Sequence, residues 1–373
     1  MKVALDVSAV PPRLAGAGRY IAELARALPA LDVATTLVTR RDDATRWHEW
    51  SPLSTLAAIV PTSRAVRLVY EAWMLGASDV ARSAEVWHAP HYTMPRRGST
   101  PTVVSIHDLT FFTNPEWHER TKVAYFRRAI AYSARHADVL ISISDFTARQ
   151  LDESIPDHAP VVVAPHGVDL NRFSLDAAHD DTLFRNHQLP VGVPYVVFVG
   201  TLEPRKGIDV LLGAFGELAR DNPSIELWLA GQPGWGLHDF DERVAHHPAR
   251  RRIRRLGYVD ELVLPALLRQ SRAVAYPSRG EGFGLPVLEA LACGALVVTT
   301  NHTVMAEVAG DAATLVGVGD VGELARALDE ALANDDAQRR RHALVARARA
   351  ELFTWNASLS QHLVAYTLAR DGV

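Results

Sequence analysis

The chain of 373 residues exceeds the roughly 150 residues of a typical compact core, so its length predicts two domains. Apolar residues make up 48% and charged residues 22%, ordinary for a globular protein, and a formal net charge of −4 exerts no overall pull toward nucleic acid. The single cysteine, Cys293, excludes an intrachain disulfide framework or cysteine metal cage, and no segment has the roughly 18 apolar residues of a membrane span, so a reducing, cytoplasmic setting is expected.

The opening MKVALDVSAV has too short an apolar run for a signal peptide and reads as a first strand over 3–7. Further strands are predicted over 33–38, 86–88, 103–106, 139–143 and 161–163, with helices over 20–28, 117–136 and 145–151. Residues 170–193 are polar and weakly periodic and read as an interdomain segment. The alternation then resumes with a strand over 195–199, helix 206–220, strand 226–230, helix 260–271 and strand 273–276. An element carrying Glu281 and Glu289 follows, then strand 295–299 and helix 321–333. Strands alternating with helices predict parallel sheets, hence two Rossmann-like α/β domains over 1–185 and 186–352 facing each other across a cleft. A last helix within 353–373 is expected to cross back onto the first domain.

In open parallel sheets ligands collect at the carboxyl ends of the strands, so polar and glycine-rich residues there are candidates. After the first strand, Gly16 and Gly18 run into a helix and would let backbone N–H groups meet an oxygen ligand, though a flexible loop reads as well. Position 21 is Ile21 rather than the third glycine of the dinucleotide fingerprint, which weighs against an oxidoreductase. His107-Asp108 ends another strand, where a histidine beside a carboxylate can exchange protons or simply hydrogen-bond to backbone. Pro165-His166-Gly167 reads as a tight turn, and His166 is given no role.

Gly200-Thr201 leads through Arg205-Lys206 into a helix, and two cations at a helix start oppose its dipole unless an anion sits there. Glu289 falls among Leu288, Ala290, Leu291 and Ala292, where a carboxylate needs a partner, and Pro286 suits the first turn of its helix. Cys293 reads as a small buried filler. Asp239-Phe240-Asp241 matches a short metal-holding string but opens a charged helical stretch, so no metal is assigned. The arginines of 250–255 lack interleaved aromatics and read as a solvated face rather than a nucleic-acid site.

Taken in order, these stretches resemble glycosyltransferase family 4, the retaining GT-B class, over essentially the whole chain. The carrying motif is Glu281-Gly282-Phe283-Gly284-Leu285-Pro286-Val287-Leu288-Glu289, supported by Gly200 to Gly207, Gly257-Tyr258-Val259 and the Glu307-Val308-Ala309-Gly310-Asp311 stretch. The resemblance implies that Glu289 accepts from the ribose hydroxyls of a nucleotide sugar and that Glu281 reaches the transferred hexose. Gly282, Phe283, Gly284 and Leu285 would line the donor, Gly200 and Thr201 its phosphates, and Tyr258 and Val259 its base. Arg205 and Lys206 would neutralise the leaving diphosphate, and His107 would lie near the anomeric carbon. Gly16 and Gly18 would belong to the acceptor side.

His166-Gly167 departs from the Asn-Gly frequent in that family, and no residue is an evident nucleophile. The implied activity is metal-independent hexosyl transfer to a glycan, lipid-linked or small-molecule hydroxyl, with GDP-mannose the favoured donor and a UDP-hexose the runner-up. A nucleotide-sugar-binding subunit without turnover and an epimerase are the competing classes. Residues 117–136 combine Trp117, Tyr125, Phe126 and Ile130 with Arg120, Lys122, Arg127, Arg128 and Arg135. They read as a core helix with a basic outer face or as a peripheral contact with anionic lipid.

Overall fold

The computed structural model describes residues 1–11, 16–96, 98–234, 236 and 239–372. Two compact units emerge: Met1–Gly167 together with Trp355–Val373, and Val168–Thr354. The first contains β1 (Lys2–Asp6), β2 (Ala34–Arg40), β3 (Thr55–Val60), β4 (Val86–Ala89), β5 (Thr102–Ile106), β6 (Val139–Ser142) and β7 (Val161–Val163). The second contains β8 (Tyr195–Val199), β9 (Glu226–Ala230), β10 (Ile253–Gly257), β11 (Ala273–Tyr276), β12 (Val297–Thr300) and β13 (Thr314–Val316). Both are parallel, α/β sheets of Rossmann type, in the orders β3-β2-β1-β4-β5-β6-β7 and β10-β9-β8-β11-β12-β13.

These orders position the sites. In each sheet the chain winds outward from one strand, then returns to that strand's other side. The reversal falls between β1 and β4 in the first sheet and between β8 and β11 in the second. Connections leaving the two strands at a reversal depart to opposite faces, so their loops diverge and leave a crevice. The central strands β4, β5 and β6 are buried along their whole length, as helices on both faces require.

In the first unit one face packs Val3, Leu5, Tyr20, Leu24 and Trp47, and the opposite face packs Ala4, Val38, Trp87, Ile106 and Ile130. The Trp355–Asp371 helix adds Leu359, Ala365 and Tyr366 to the former face, so the C-terminal helix does belong with the first unit. In the second unit Tyr195 stacks on Trp228 at 3.7 Å between ring centroids.

Four departures from the sequence reading have physical causes. The segment 168–185 belongs to the second unit, because Arg269 donates to the buried Asp180 at 2.5 and 3.0 Å and to the Ser174 carbonyl at 2.9 Å. Its polarity conceals a short helix, Asp180–Asn186, whose Phe184 faces Trp228. The arginine run holds an unforeseen strand, since β10 is an edge strand whose Arg254 and Arg255 project into water. Strand β3, an apolar run without alternation, and the three-residue β13 are not among the predicted strands and complete the two sheets at their other margins.

Candidate functional site

At the β8/β11 reversal the loop after β8 closes against the loop after β11. Gly207 makes this approach feasible: its φ is +68°, and a Cβ there would stand 2.1 Å from the Pro277 carbonyl oxygen. Arg279 clamps the two loops, donating to the Pro204 carbonyl at 2.6 Å and to both Asp209 oxygens at 2.7 and 3.0 Å. Between them Glu281 sits in a dense polar cluster. Its Oε2 accepts from Arg205 at 2.8 Å, and its Oε1 accepts from Lys206, from Ser278 at 2.8 Å and from Tyr276 at 3.0 Å. Glu203 pairs with the Arg205 Nε at 2.6 Å.

The electrostatics follow from burial and pairing. Burial alone would push the Glu281 carboxyl up, but the Lys206 and Arg205 charges and its hydrogen bonds outweigh it and hold the group at about 2. Burial lowers Lys206 while Glu281 opposes that shift. The anion that Arg205 and Lys206 were expected to need is therefore carried by the protein itself, as Glu281 and Glu203. The cations keep donors in reserve. Arg205 spends Nε on Glu203 and Nη1 on Glu281 and the Gly280 carbonyl, so its Nη2 takes no part in these bonds. Lys206 spends two of its three N–H groups, on Tyr276 and Glu281.

Glu289 lies on the second turn of the Leu285–Ala292 helix and is only 4% exposed, so its carboxylate is held within the protein rather than in open water. Pro286 occupies the first turn as expected, and Gly284 caps the helix with φ +94°. Gly282 is half-buried, whereas the Phe283 side chain is buried edge-on against Phe353, and Leu285 is buried too. Any donor contact from Phe283 or Leu285 therefore falls to their backbone. The Gly200 N–H is already donated to the Ala230 carbonyl at 2.9 Å, so it is not free for phosphate, while Thr201 is exposed. Tyr258 is 62% exposed just beyond β10, with Val259 half-buried beside it.

The first unit holds a separate set. Gly16 and Gly18 lie inside the first turn of the Gly16–Ala27 helix rather than in a preceding loop, and 12–15 fall outside the described residues. A Cβ on Gly16 would meet no atom within 4 Å, so no protein neighbour demands glycine there. His107 follows β5 and is 5% exposed, its Nε2 bonded to the Pro90 carbonyl at 2.7 Å. A carbonyl only accepts, so Nε2 carries the proton and Nδ1 is the basic atom. Burial depresses its pKa, opposed by the Pro90 bond and the Asp108 charge. Asp108 accepts from Tyr92 at 2.8 Å and from Thr110 at 2.6 and 3.0 Å, so its role toward His107 is electrostatic only.

Tyr276, Ser278 and Glu203 around Glu281, and Tyr20, His88, Ser105 and His362 around His107, carry no role in the sequence reading. All are polar residues buried at strand ends or helix faces, a signal that becomes visible only once register is known. Asp239 and Asp241 point to separate partners, Arg243 and Arg255. Among the described residues no group of three His, Cys, Asp or Glu side chains is arranged to hold a metal ion. None of the described helices is long and apolar enough to cross a membrane.

The two parallel Rossmann-type sheets match the architecture of GT-B glycosyltransferases. The chain belongs to glycosyltransferase family 4: residues 14–172 match the Glycosyltransferase Family 4 model, and residues 179–351 match that of Glycosyl transferases group 1. It is 31% identical over 285 residues to the O-antigen chain mannosyltransferase B of Escherichia coli, covering 76% of this chain and 74% of that one. It is 30% identical over 238 residues to the serotype-specific mannosyltransferase WbdA of the same organism, of which the match spans only 29%. Among solved structures it superposes on Anabaena HepE in complex with UDP-glucose with a TM-score of 0.76, at 20% identity over 99% of both chains. The protein is therefore a glycosyltransferase.

Proposed function

We propose that the protein transfers mannose from GDP-mannose, with retention and without a metal, to a hydroxyl of a glycan, lipid-linked or small-molecule acceptor. The second unit binds the donor and the first unit the acceptor. The observation that carries the transfer chemistry is the Glu281–Arg205–Lys206 cluster at the β8/β11 reversal, with cationic donors left over. As the bond from the anomeric carbon breaks, negative charge grows on the β-phosphate oxygen that had carried the sugar. The Arg205 Nη2 and the third Lys206 N–H are preorganised to meet that charge, which favours the transition state over the ground state. Glu281, held ionised, accepts from hydroxyls of the hexose, and Glu289 from those of the ribose. Neutral His107, protonated on Nε2, offers Nδ1 as an acceptor to a substrate hydroxyl.

Mannose is favoured because a mannosyltransferase is 31% identical over 76% of this chain and 74% of its own. A UDP-hexose is the alternative, favoured by the likeness to a fold neighbour that binds UDP-glucose. Thermal shift with GDP and UDP at equal concentration separates them, followed by slow hydrolysis of GDP-mannose without acceptor. Larger stabilisation by GDP is expected, and stabilisation by UDP alone would reverse the donor choice.

Peripheral attachment to the cytoplasmic membrane face is proposed for the first unit. The Arg64–Trp73 helix exposes Val66, Val69 and Trp73, followed by exposed Met74, and Arg96 stacks between Trp73 and Tyr132 of the Arg120–His136 helix. Tyr125, Lys122 and Arg128 on that second helix are also exposed, while Ile130 is core. Apolar side chains among arginines suit an anionic lipid surface. Sedimentation with vesicles containing phosphatidylglycerol should carry the protein down in a salt-sensitive way, and no dependence on anionic lipid would remove the proposal.

A further inference from the structure

Behind His107 runs an unbroken chain of buried hydrogen bonds. Tyr366 Oη lies 2.8 Å from His88 Nδ1, and His88 Nε2 lies 2.9 Å from Ser105 Oγ. Ser105 Oγ lies 2.7 Å from Tyr20 Oη, and Tyr20 Oη lies 2.7 Å from His362 Nε2. The chain ends at His362 Nδ1, 2.7 Å from the Ser358 carbonyl. It begins and ends on the Trp355–Asp371 helix and passes through β4, β5 and the Gly16–Ala27 helix.

The direction of every bond follows from one end. The Ser358 carbonyl can only accept, so His362 carries its proton on Nδ1 and its bare Nε2 accepts from Tyr20. Tyr20 has then spent its one proton and must accept from Ser105. Ser105 in turn accepts from the Nε2–H of His88, whose bare Nδ1 accepts from Tyr366. The scheme works only if both rings are neutral. Burial holds both below the ordinary histidine range, His362 at about 4. One consistent set of protons thus satisfies five buried polar groups, and a fully satisfied network of this kind is rigid.

The network meets His107 through Tyr20 and Ser105. Tyr20 and His107 meet edge to face, 5.2 Å between centroids and 82° between planes, and the Tyr20 hydroxyl links Ser105 to His362. Ser105 stands two residues before His107 on β5, and His88 stands two residues before Pro90, whose carbonyl holds the His107 Nε2. We propose that His362 and Tyr366 of the C-terminal helix are positioning residues for His107, fixing its ring plane through Tyr20, Ser105 and β4, while the Pro90 carbonyl sets its tautomer. The proposal rests on the role given above to His107. It gives the return of the C-terminal helix a function beyond covering apolar surface.

The test compares wild type with Tyr366→Phe, His362→Gln, His362→Ala, His107→Ala and the His107→Ala/Tyr366→Phe double variant. Turnover is read as nucleotide release from GDP-mannose, with UDP-glucose in parallel, alongside the melting temperature. Nitrogen-15 NMR of the imidazoles in the donor-free protein reads the tautomers directly. Tyr366→Phe should lower kcat about three- to tenfold, the worth of one buried hydrogen bond, while the donor KM stays within about twofold. His362→Gln, whose amide still accepts from Tyr20, should retain more turnover than His362→Ala at a similar melting temperature. In the His107→Ala background Tyr366→Phe should cost nothing more, because the two act through one group. The NMR spectrum should show His362 protonated on Nδ1 and His88 on Nε2, with the His107 ring resonances shifting in Tyr366→Phe as the ring plane relaxes.

Equal losses from Tyr366→Phe in the wild-type and His107→Ala backgrounds would overturn the proposal, as would unchanged His107 ring resonances. If His107→Ala itself turns over at the wild-type rate, the role given to His107 fails first and takes the positioning proposal with it. If His107→Ala is slow and Tyr366→Phe is not, only the positioning proposal fails.

Discussion

The Arg205 guanidinium and the Glu281 carboxylate meet at 2.8 Å, joining the loop after β8 to the loop after β11 across the sheet reversal. Because Lys206 shares the same carboxylate, Glu281 is ionised at all but strongly acid pH. Its folded pKa of about 2 lies below the ordinary glutamate value, so its stabilisation is complete above about pH 4.5 and is lost as pH falls toward 2. Glu281→Gln should melt below wild type at pH 7, and the gap should narrow steadily between pH 4.5 and 2.5. A gap that is constant across this range would mean that Glu281 is not ion-paired in solution.

Gly207→Ala tests the loop closure. It places a Cβ where φ is +68° and where the Pro277 carbonyl oxygen would lie 2.1 Å away. The conformational and steric costs together should exceed about 2 kcal/mol, lowering the melting temperature by about 5 °C or more. Donor binding should weaken as well, since Lys206 is the adjacent residue. Calorimetry showing an unchanged transition would mean that the two loops part without cost.

Glu289→Ala should weaken binding of the donor nucleotide. If both ribose hydroxyls donate to this carboxylate, two charge-assisted hydrogen bonds vanish, each worth roughly 1.5–3 kcal/mol. Isothermal titration should show a Kd raised by about two orders of magnitude or more. Equal affinity of variant and wild type for GDP would remove Glu289 from the donor site.

Glu71 carries a pH dependence of the opposite sign. The Arg64–Trp73 helix turns it inward, where its Oε1 accepts from Ser8 Oγ at 3.0 Å while the Ser8 N–H is held by Asp6 at 3.0 Å. Burial, and then the Asp6 charge, push Glu71 up to about 7. The folded state therefore binds the extra proton, and stability falls as pH rises from about 4.5 through 7. Glu71→Gln removes that penalty and should gain stability relative to wild type at pH 8.5 but not at pH 4.5. Urea titrations giving the same difference at both pH values would contradict the raised pKa.

Activity should survive EDTA, because charge on the leaving diphosphate is met by Arg205 and Lys206, and because Asp239 and Asp241 each face an arginine of their own. Complete loss on chelation, restored by magnesium or manganese, would assign a metal to the reaction.

Sequence patterning determined the α/β class, the two-unit organisation, most central strands and the glutamate pair of the 281–289 motif. These are legible because fully buried parallel strands write themselves as apolar runs, and because proline and glycine mark helix starts locally. It could not reveal β10 within the arginine run, since an edge strand with one face in water needs only a few apolar residues, nor the membership of 168–185, which contacts to the distant Arg269, Arg347 and Trp228 decide. Nor could it show that Glu281 neutralises Arg205 and Lys206, or that His362 and Tyr366 reach Tyr20 and His88. Those contacts join residues separated by 75 to 342 positions, so they exist only after the sheets have brought distant strand ends and the last helix together.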